Sequence, residues 1–346
     1  MKIFLHPTDD ATVYQRYPTN NTGLDEILEL GKNIKSLDGT GMYSSASCRA
    51  LLNFNIPSNE QYPSTARYFL NLKIANAQNI NRYQILKVHQ ISGSWIEGSG
   101  YFYQDVRNAQ DGVTWELSNL NMSWSNAGGD YYATPSASYT ISKFPLEDIK
   151  IDITDIISPI VSGTNTNPWD GLIVKFDDSS ENSSLNTGNL KVFSSNTHTI
   201  FSPTIEVNYV DQLFITGSLK RIPNSNVSIL PRNLKEAYTR GEVDKIYFVV
   251  RDKYPDKRFD AVQRYRTQYY LPSESYFRIR DDVSNIVLWD FDQYSAISCD
   301  SSGSYFVLDT SQLQPNRYYS LDVKIKSGSL TFFPEIKYTF KIDEHD

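Results

Sequence analysis

Residues 92–103 read SGSWIEGSGYFY. A tryptophan, an acid and three further aromatic rings stand among glycines and serines. Three uses fit such a stretch. Trp95 and Tyr101 could form a stacking platform for a sugar. Glu97 could be the acid of a glycosidase, which needs a second carboxylate at a set separation. Asp105, Asp111, Glu116 and Asp130 are near in sequence, but all fall in loops and no spacing fixes a distance between them. The third use is structural: Leu86, Val88 and the Trp95 ring fill a sheet core near a strand end, and Glu97 hydrogen-bonds its own loop. A buried aromatic ring contributes a large apolar area, so the structural use is the expectation and no catalytic residue is assigned. The stretch TWELSNLNMSWSNAGGDYY (114–132) is likewise polar and glycine-rich around its rings. Trp95, Tyr101, Tyr103, Trp115 and Trp124 therefore remain contact candidates, for a glycan or for a neighbouring subunit. Trp169 is ambiguous in the same way.

Other chemistries find little to stand on. The four histidines show neither HxH nor HExxH spacing, the patterns that bring two imidazoles to one zinc ion. No G-x-S-x-G elbow occurs, and TGSLKR lacks the second glycine and the GK[ST] of a phosphate loop. The acids of DDSSENSSLNTGN (177–189) could face a calcium ion, but EF-hand spacing is absent; a solvated turn is expected there. Cys48 and Cys299 stand far apart, so two buried thiols are expected rather than a disulfide or a metal site. No cofactor and no metal are expected.

The charge of −7 is unevenly shared: residues 1–210 carry 14 Lys+Arg against 21 Asp+Glu, and residues 211–346 carry 19 of each. No basic stripe exists, which argues against direct nucleic-acid binding. The opening MKIFLHPTDDATVY lacks the apolar core of a signal peptide. No apolar run approaches the ~20 residues of a membrane helix. The expectation is synthesis in the cytoplasm, no secretion signal and no membrane partner.

The elements that must position these residues read as strands. Apolar content is 40%, rich in Tyr (24) and Phe (17), a bias toward pleated, half-buried surfaces. In ARYFLNLKI, Tyr68, Leu70, Leu72 and Ile74 alternate on one face. RALLNF sets Ala50, Leu52 and Phe54 against Arg49, Leu51 and Asn53, one packed face with an arginine near the strand start. A buried Arg needs a carboxylate, and Asp10 or Asp152 is the expected partner. Further strands are expected at 12–15, 27–31, 84–90, 150–153, 172–176, 190–194 and 204–209, with long polar loops over 98–112, 121–139 and 177–189. A short helical turn is expected at 157–163, capped by Thr154 or Asp155, and a helix at PRNLKEAYTRGE (231–242), with Pro231 near its start and Gly241 past its end. RDKYPDKRFD (251–260) and AVQRYRTQYY (261–270) alternate charge with rings and read as a solvated strand edge. Strands near 245–252, 275–281, 285–291, 304–309, 318–326 and 336–342 give the last third of the chain the content of an immunoglobulin-like sandwich. The expected domains are 1–210, a linker with a possible short helix over 211–240, and 241–346.

The ordered set DATVY (10–14), PTNNTGLDEILELG (18–31), RALLNF (49–54), FLNLKI, WIEGSG (95–100), VTW (113–115), IDITDII (151–157), GLIVKF (171–176), KVFSSN (191–196) and SPTIEVNY (202–209) resembles the DNRLRE-type domain. That domain is a jelly-roll β-sandwich of bacterial surface proteins, related to a family of carbohydrate-binding modules. The resemblance covers nearly all of residues 1–210. It implies an N-terminal jelly roll and makes Trp95 part of its framework. The absence of a secretion signal departs from the surface proteins. With KIYFVVRDKYP, LPSESYFRIRD and RYYSLDVKIK in the second part, the whole chain is similar to virion structural proteins of large tailed phages, which assemble in the host cytoplasm. The resemblance implies an all-β, non-enzymatic virion component of tail, baseplate, neck or capsid decoration. Its partners would be other virion proteins and copies of itself in a symmetric array. The alternative is a carbohydrate-binding module that recognises a host-surface glycan.

Overall fold

The computed structural model describes residues 1–37, 42–57, 62–101, 111–142, 147–183, 187–254, 268–334 and 338–344. The chain is all-β and sandwich-like, and it divides into two compact units. One comprises Phe4–Val207; the other comprises Met1–Ile3 together with Asn208–Asp346.

The first unit holds two main sheets. In the smaller, Arg67–Leu72 lies between Thr204–Asn208 and Ile149–Asp152. The larger runs Tyr131–Thr140, Ile85–Ile91, Leu172–Phe176, Met42–Phe54, Ile27–Leu37, Gly188–Phe193, Ile74–Gln78, and Pro7–Tyr14 also pairs with Met42–Phe54. The 13-residue strand Met42–Phe54 organises this sheet. Its last half pairs with Pro7–Tyr14 on one side and with Leu172–Val174 on the other, and its first half pairs with Gly31–Leu37. The apolar residues expected to alternate inward do so: Tyr68, Leu70 and Leu72 are buried, as are Ala50, Leu52 and Phe54.

Several expectations change. Ile74 does not continue the face of Leu72. The chain leaves the smaller sheet at Lys73, and Ile74–Gln78 pairs with Gly188–Phe193 in the larger one. The stretch 131–140, read as polar loop, is a ten-residue strand against Ile85–Ile91. Its polar, weakly alternating side chains hide it, since its hydrogen bonds are main-chain. The Arg49 face of Met42–Phe54 is not a solvent face, because Leu51 is fully buried as well. The helix at 154–161 starts at Thr154 itself. Asp152 accepts hydrogen bonds from the Thr154 amide and hydroxyl, while Ile153 occupies the cap position without a side-chain bond.

The second unit also holds two main sheets, in the orders Lys220–Arg221, Tyr269–Tyr270, Val243–Asp252, Gly303–Asp309, Ser298–Asp300 and Ala237–Thr239, Tyr338–Asp343, Arg317–Ser327, Ser275–Asp281, Val287–Trp289. Residues 211–240 are neither linker nor helix. They supply Val227–Pro231, antiparallel to Val243–Asp252, and Ala237–Thr239, parallel to Tyr338–Asp343. Tyr238 is what decides against the helix: it is buried against Phe340, and its hydroxyl accepts the Lys235 amide. The first residues of the chain belong here by contact as well as by grouping. The Trp289 indole donates to the Lys2 carbonyl, and the Lys2 ammonium meets Asp292 at 2.7 Å. Cys48 and Cys299 are buried free thiols. The charged and aromatic stretch from 255 to 267 lies outside the described residues.

Leu70, fully buried in the smaller sheet, tests this arrangement. Leu70→Ala is expected to destabilise the first unit by about 2–5 kcal/mol, read as a shifted first transition in urea denaturation followed by tyrosine and tryptophan fluorescence.

Candidate functional site

Three of the rings singled out by the sequence, those of Trp95, Trp115 and Trp124, meet on one face of the larger sheet. Ala11, Val13, Leu51, Ile91 and Ile173 project from its strands, and Val113, Trp115 and Trp124 come down on them from the 92–130 segment, with Trp95 and Tyr131 at the margin. The sheet is thus buried on both faces, once by its own apolar alternation and once by a glycine-rich cover.

Asn21 fastens that cover. Its side chain is fully buried and uses all its capacity. Its amide donates to the Glu97 and Val113 carbonyls at 2.6 and 2.8 Å, and its oxygen accepts from the amides of Gly100 and Gly23. Such close stitching demands small residues. A Cβ on Gly98, which sits at φ 82°, would stand 2.6 Å from the Asn21 oxygen and from the Gly112 Cα. This is why the motif is rich in glycine, and the reason is structural.

Beneath the cover lies a buried charge network. Lys175 is 1% exposed, inside the otherwise apolar strand LIVKF. Its ammonium contacts Asp178, Glu181 at 3.1 Å and the Tyr131 hydroxyl at 3.3 Å. Arg49 grips Glu181 with two parallel hydrogen bonds of 3.0 and 2.8 Å, donates to the Gly128 carbonyl, and stacks on Trp115 with 5.0 Å to the ring centroid. Lys32 donates to the carbonyls of Glu181 and Ser183. Asp178 and Glu181 lie on the short helix Asp178–Glu181. The carboxylate partner of Arg49 is therefore Glu181, not Asp10 or Asp152. Asp152 pairs with exposed Arg67, and the Asp10 carboxyl accepts the Ser195 amide. In the segment read as a solvated turn, Asp178–Glu181 forms a short helix without a buried residue, and its Asp178 and Glu181 carboxylates are met by Lys175 and Arg49. Burial by itself would lower the Lys175 pKa, but the Asp178 hydrogen bond and the Glu181 charge outweigh it and the net shift is upward. The same contact with Lys175 lowers Asp178. Burial lowers His89, whose ring lies 4.6 Å from that of Tyr131.

Glu97 joins a second buried group. It accepts the Asp10 amide at 2.9 Å. Asp10 is fully buried; one carboxyl oxygen accepts the Ser195 amide at 2.6 Å and the other has no partner. Burial, reinforced by the Glu97 and Asp9 charges, pushes Asp10 up to about 7, and burial raises Glu97 as well. The remaining acids of the cover bond to its loops. Asp111 accepts from the Ser99 amide and hydroxyl, and Asp130 from the amides of Ser125 and Asn126. Glu116 is exposed, and Asp105 lies outside the described residues.

The contact candidates separate cleanly. Trp115 and Trp124 are each 7% exposed within the cluster. Trp95 is half-buried, with its indole donating to the Asp170 carbonyl. The Trp124, Trp169 and Trp289 indoles donate to the carbonyls of Thr114, Phe54 and Lys2. Tyr101 is 44% exposed. Tyr103 lies outside the described residues. Among the described residues no group of three or more His, Cys, Asp or Glu converges as a metal site, and no helix is long and apolar enough to cross a membrane. The sequence reading missed Lys175, Glu181 and Asn21. A signal existed for the first: a lysine inside a five-residue buried strand requires a carboxylate.

No family profile and no curated protein matches the sequence. Two solved structures align with 9% identity each. One is a DUF4785 family protein from Legionella pneumophila, covering 99% of this chain and 66% of that one at a TM-score of 0.19. The other is a β-glucuronidase from Parabacteroides merdae, covering 93% of this chain and 34% of that one at 0.14. The chain spans less than two thirds of either protein, and similarity at this level carries no argument about fold or activity.

Two measurements test the site. Removing Glu181 strands Arg49 in a buried position, so Glu181→Ala is expected to cost about 3–5 kcal/mol. Arg67→Ala breaks an exposed pair and should cost no more than about 1 kcal/mol. Urea midpoints compare them. For Asp10, a pKa raised in the folded state means that the native form holds the proton more tightly. Stability is then full below the unfolded value near 3.8 and declines as pH rises to about 7, by on the order of 4 kcal/mol. Melting at pH 5 and pH 8 should show the native chain less stable at pH 8, with the gap narrowed in Asp10→Asn. An unchanged gap would refute the assignment.

Proposed function

We propose that this chain is a non-enzymatic structural component of a tailed-phage virion, acting through protein–protein contacts, with the cover formed by residues 92–101 and 111–130 as one contact surface. In this reading the first unit is a jelly roll of the DNRLRE type and the second an immunoglobulin-like sandwich. The support is the two-sheet content of each unit and the order of sequence pieces given above. The position could be tail, baseplate, neck or capsid decoration.

One observation carries the reading. In the described part of the cover two indoles turn inward, while several aliphatic side chains, with the Tyr101 ring, reach solvent. Trp115 and Trp124 are buried, while Leu24, Ile96, Leu120 and Met122 are exposed, the last two at 57% each. These four sit on turns and on the short hairpin Leu117–Asn119/Met122–Ser123, tied to one another: the Leu24 amide donates to the Gly100 carbonyl, the Ile96 amide to the Ser118 carbonyl, and the Ser118 hydroxyl to the Met122 carbonyl. A sugar-binding face wants flat rings toward solvent, whereas exposed aliphatic groups on ordered loops favour a protein neighbour. Catalysis has little support in the same place, because Glu97 accepts a main-chain amide of the strand Pro7–Tyr14, and Asp111 and Asp130 accept main-chain amides of the loops.

Mass spectrometry of purified particles, extended by cryo-EM, is expected to find the chain in the virion. A double variant Ile96→Lys/Met122→Glu should keep the native melting temperature within about 2 °C, since the groups are exposed, yet be depleted at least tenfold from particles. Absence of the native chain from particles, or full incorporation of the double variant, would overturn the proposal or its surface respectively.

A further inference from the structure

The smaller sheet of the first unit carries a three-residue arrangement on the face opposite Leu70 and Leu72. Lys150, in Ile149–Asp152, stands directly across from Asn71, in Arg67–Leu72. The Cβ atoms of such a cross-strand pair lie about 4.5–5.5 Å apart. Thr204–Asn208 flanks Arg67–Leu72 on its other side and supplies Glu206. Because the strand of Asn71 lies between, the Lys150 side chain must cross Asn71 to reach that acid. It does so: the ammonium is 2.6 Å from Glu206 Oε2. The Asn71 carboxamide nitrogen donates to the same oxygen at 3.3 Å and to the Thr204 hydroxyl at 3.4 Å. Phe69 completes the setting, with the Lys150 ammonium 4.6 Å from its ring centroid.

An amine is thus held over a carboxamide by a carboxylate and a ring. Glu206 is 5% exposed, and one of its oxygens touches both the amine and the carboxamide nitrogen. Transfer of an acyl group from one nitrogen to another needs those two contacts, a base for the attacking amine and an acid for the departing nitrogen. The Lys150 side chain is 47% exposed, which leaves a way out for the displaced nitrogen. A second carboxylate makes the contrast. Glu29 meets Lys191 at 2.7 Å and the Asn189 carboxamide at 2.6 Å. Lys191 and Asn189, however, share the strand Gly188–Phe193, so a bond between them would join no two strands.

We propose that Lys150 and Asn71 join in an intramolecular isopeptide bond, with Glu206 as the catalytic acid–base. Lys150 Nζ gives one proton to Glu206 Oε2, and the freed amine attacks Asn71 Cγ. The Nζ–Cγ bond forms and the Cγ–Nδ2 bond breaks. Glu206 returns its proton to Nδ2, which leaves as ammonia and takes up the further proton that Nζ sheds. An ammonium and a carboxamide thus become an amide and an ammonium ion, with no change of oxidation state and no co-reactant. The reaction runs once per chain, so a slow step suffices, and the paired strands hold the reacting atoms together throughout. The product ties Ile149–Asp152, an end strand of its sheet, to its neighbour. The inference is independent of the assembly reading, since it is measured on the isolated chain.

The test is intact-mass spectrometry of the denatured full-length protein after prolonged incubation of the folded chain at neutral pH. The mass is expected to fall short of the sequence mass by one ammonia. Tandem mass spectrometry of a digest should yield a branched peptide linking Lys150 to Asn71. Lys150→Arg keeps the cation beside Glu206 but has no amine to transfer, so its full mass should be retained. That variant also separates the bond from a cyclic imide at Asn71, which loses ammonia without the lysine. Glu206→Gln should slow linkage at least about tenfold, with circular dichroism confirming that the sheet is retained. Lys150→Arg supplies the readout if Glu206→Gln does not fold. A native chain at full sequence mass would overturn the proposal. So would a loss that persists in Lys150→Arg, a link mapped to Asn189 or any other asparagine, or an unchanged rate in folded Glu206→Gln.

Discussion

A β-sheet buried on one face can rely on apolar alternation alone; a sheet buried on both must also shut away whatever charges its strands carry. In the first unit that constraint falls on Arg49 and Lys175, which point to the side covered by the 92–130 segment. Neither could stay there unpaired, because an isolated buried charge costs far more than its side chain gains by packing. Glu181 answers both cations at once, with two hydrogen bonds to Arg49 and a 3.1 Å contact to Lys175. The helix Asp178–Glu181 exists where it does because this carboxylate has to reach under the cover. Arg49 then acts in the opposite direction as well. Its guanidinium carries Trp115 on one face and the Gly128 carbonyl at its edge, so the cover is positioned by the same group that Glu181 neutralises. A side chain at Gly128, φ 92°, would stand 2.7 Å from the Trp115 ring and 2.9 Å from Arg49, which explains glycine at that point. The network makes the fold particular more than it makes it stable, since a well-packed apolar trio could replace it at little cost.

How much of this was legible in the sequence depends on the signal each element left. Strands such as RYFLNL, with alternating apolar residues, and LIVKF, with a nearly continuous apolar run, were readable because burial on one or both faces leaves its mark in composition. Tyr131–Thr140 left none: its proline, serines and alanines describe a loop, and only pairing with Ile85–Ile91 makes it a strand. The supposed helix at 231–242 failed for the converse reason. Its Pro and Gly were correctly spaced for helix ends, but local propensity yielded to the burial of Tyr238 against Phe340. The switch of sheets at Lys73 could not be read either, because an unbroken alternation from Tyr68 to Ile74 is equally compatible with one strand or two.

The site was legible in its residues and not in its partnerships. Arg49 was rightly expected to need a carboxylate, yet the choice among acids distant in sequence is a matter of topology. The strand Leu172–Phe176 lies beside Met42–Phe54, and the residues just after it reach Arg49 for that reason alone. Similarly, the glycines and serines around Glu97 allowed either a sugar platform or a tightly folded loop. What decides is Asn21, far upstream, whose one side chain satisfies four main-chain groups of that loop region.

Two surfaces of the first unit differ in their make-up. On the cover, the side chain of Asn21 is internally consumed, while Ile96, Leu120 and Met122 reach solvent beside the Tyr101 ring and the polar side chains of Asp111, Glu116 and Asn126. Beside the helix Thr154–Val161, an open cavity mixes apolar walls from Pro63, Pro159 and Val161 with hydroxyls, of which those of Ser162 and Thr164 are already bonded to the Pro159 carbonyl. The Arg49–Glu181–Lys175 network lies beneath the first of these surfaces and contributes no residue to the lining of the second.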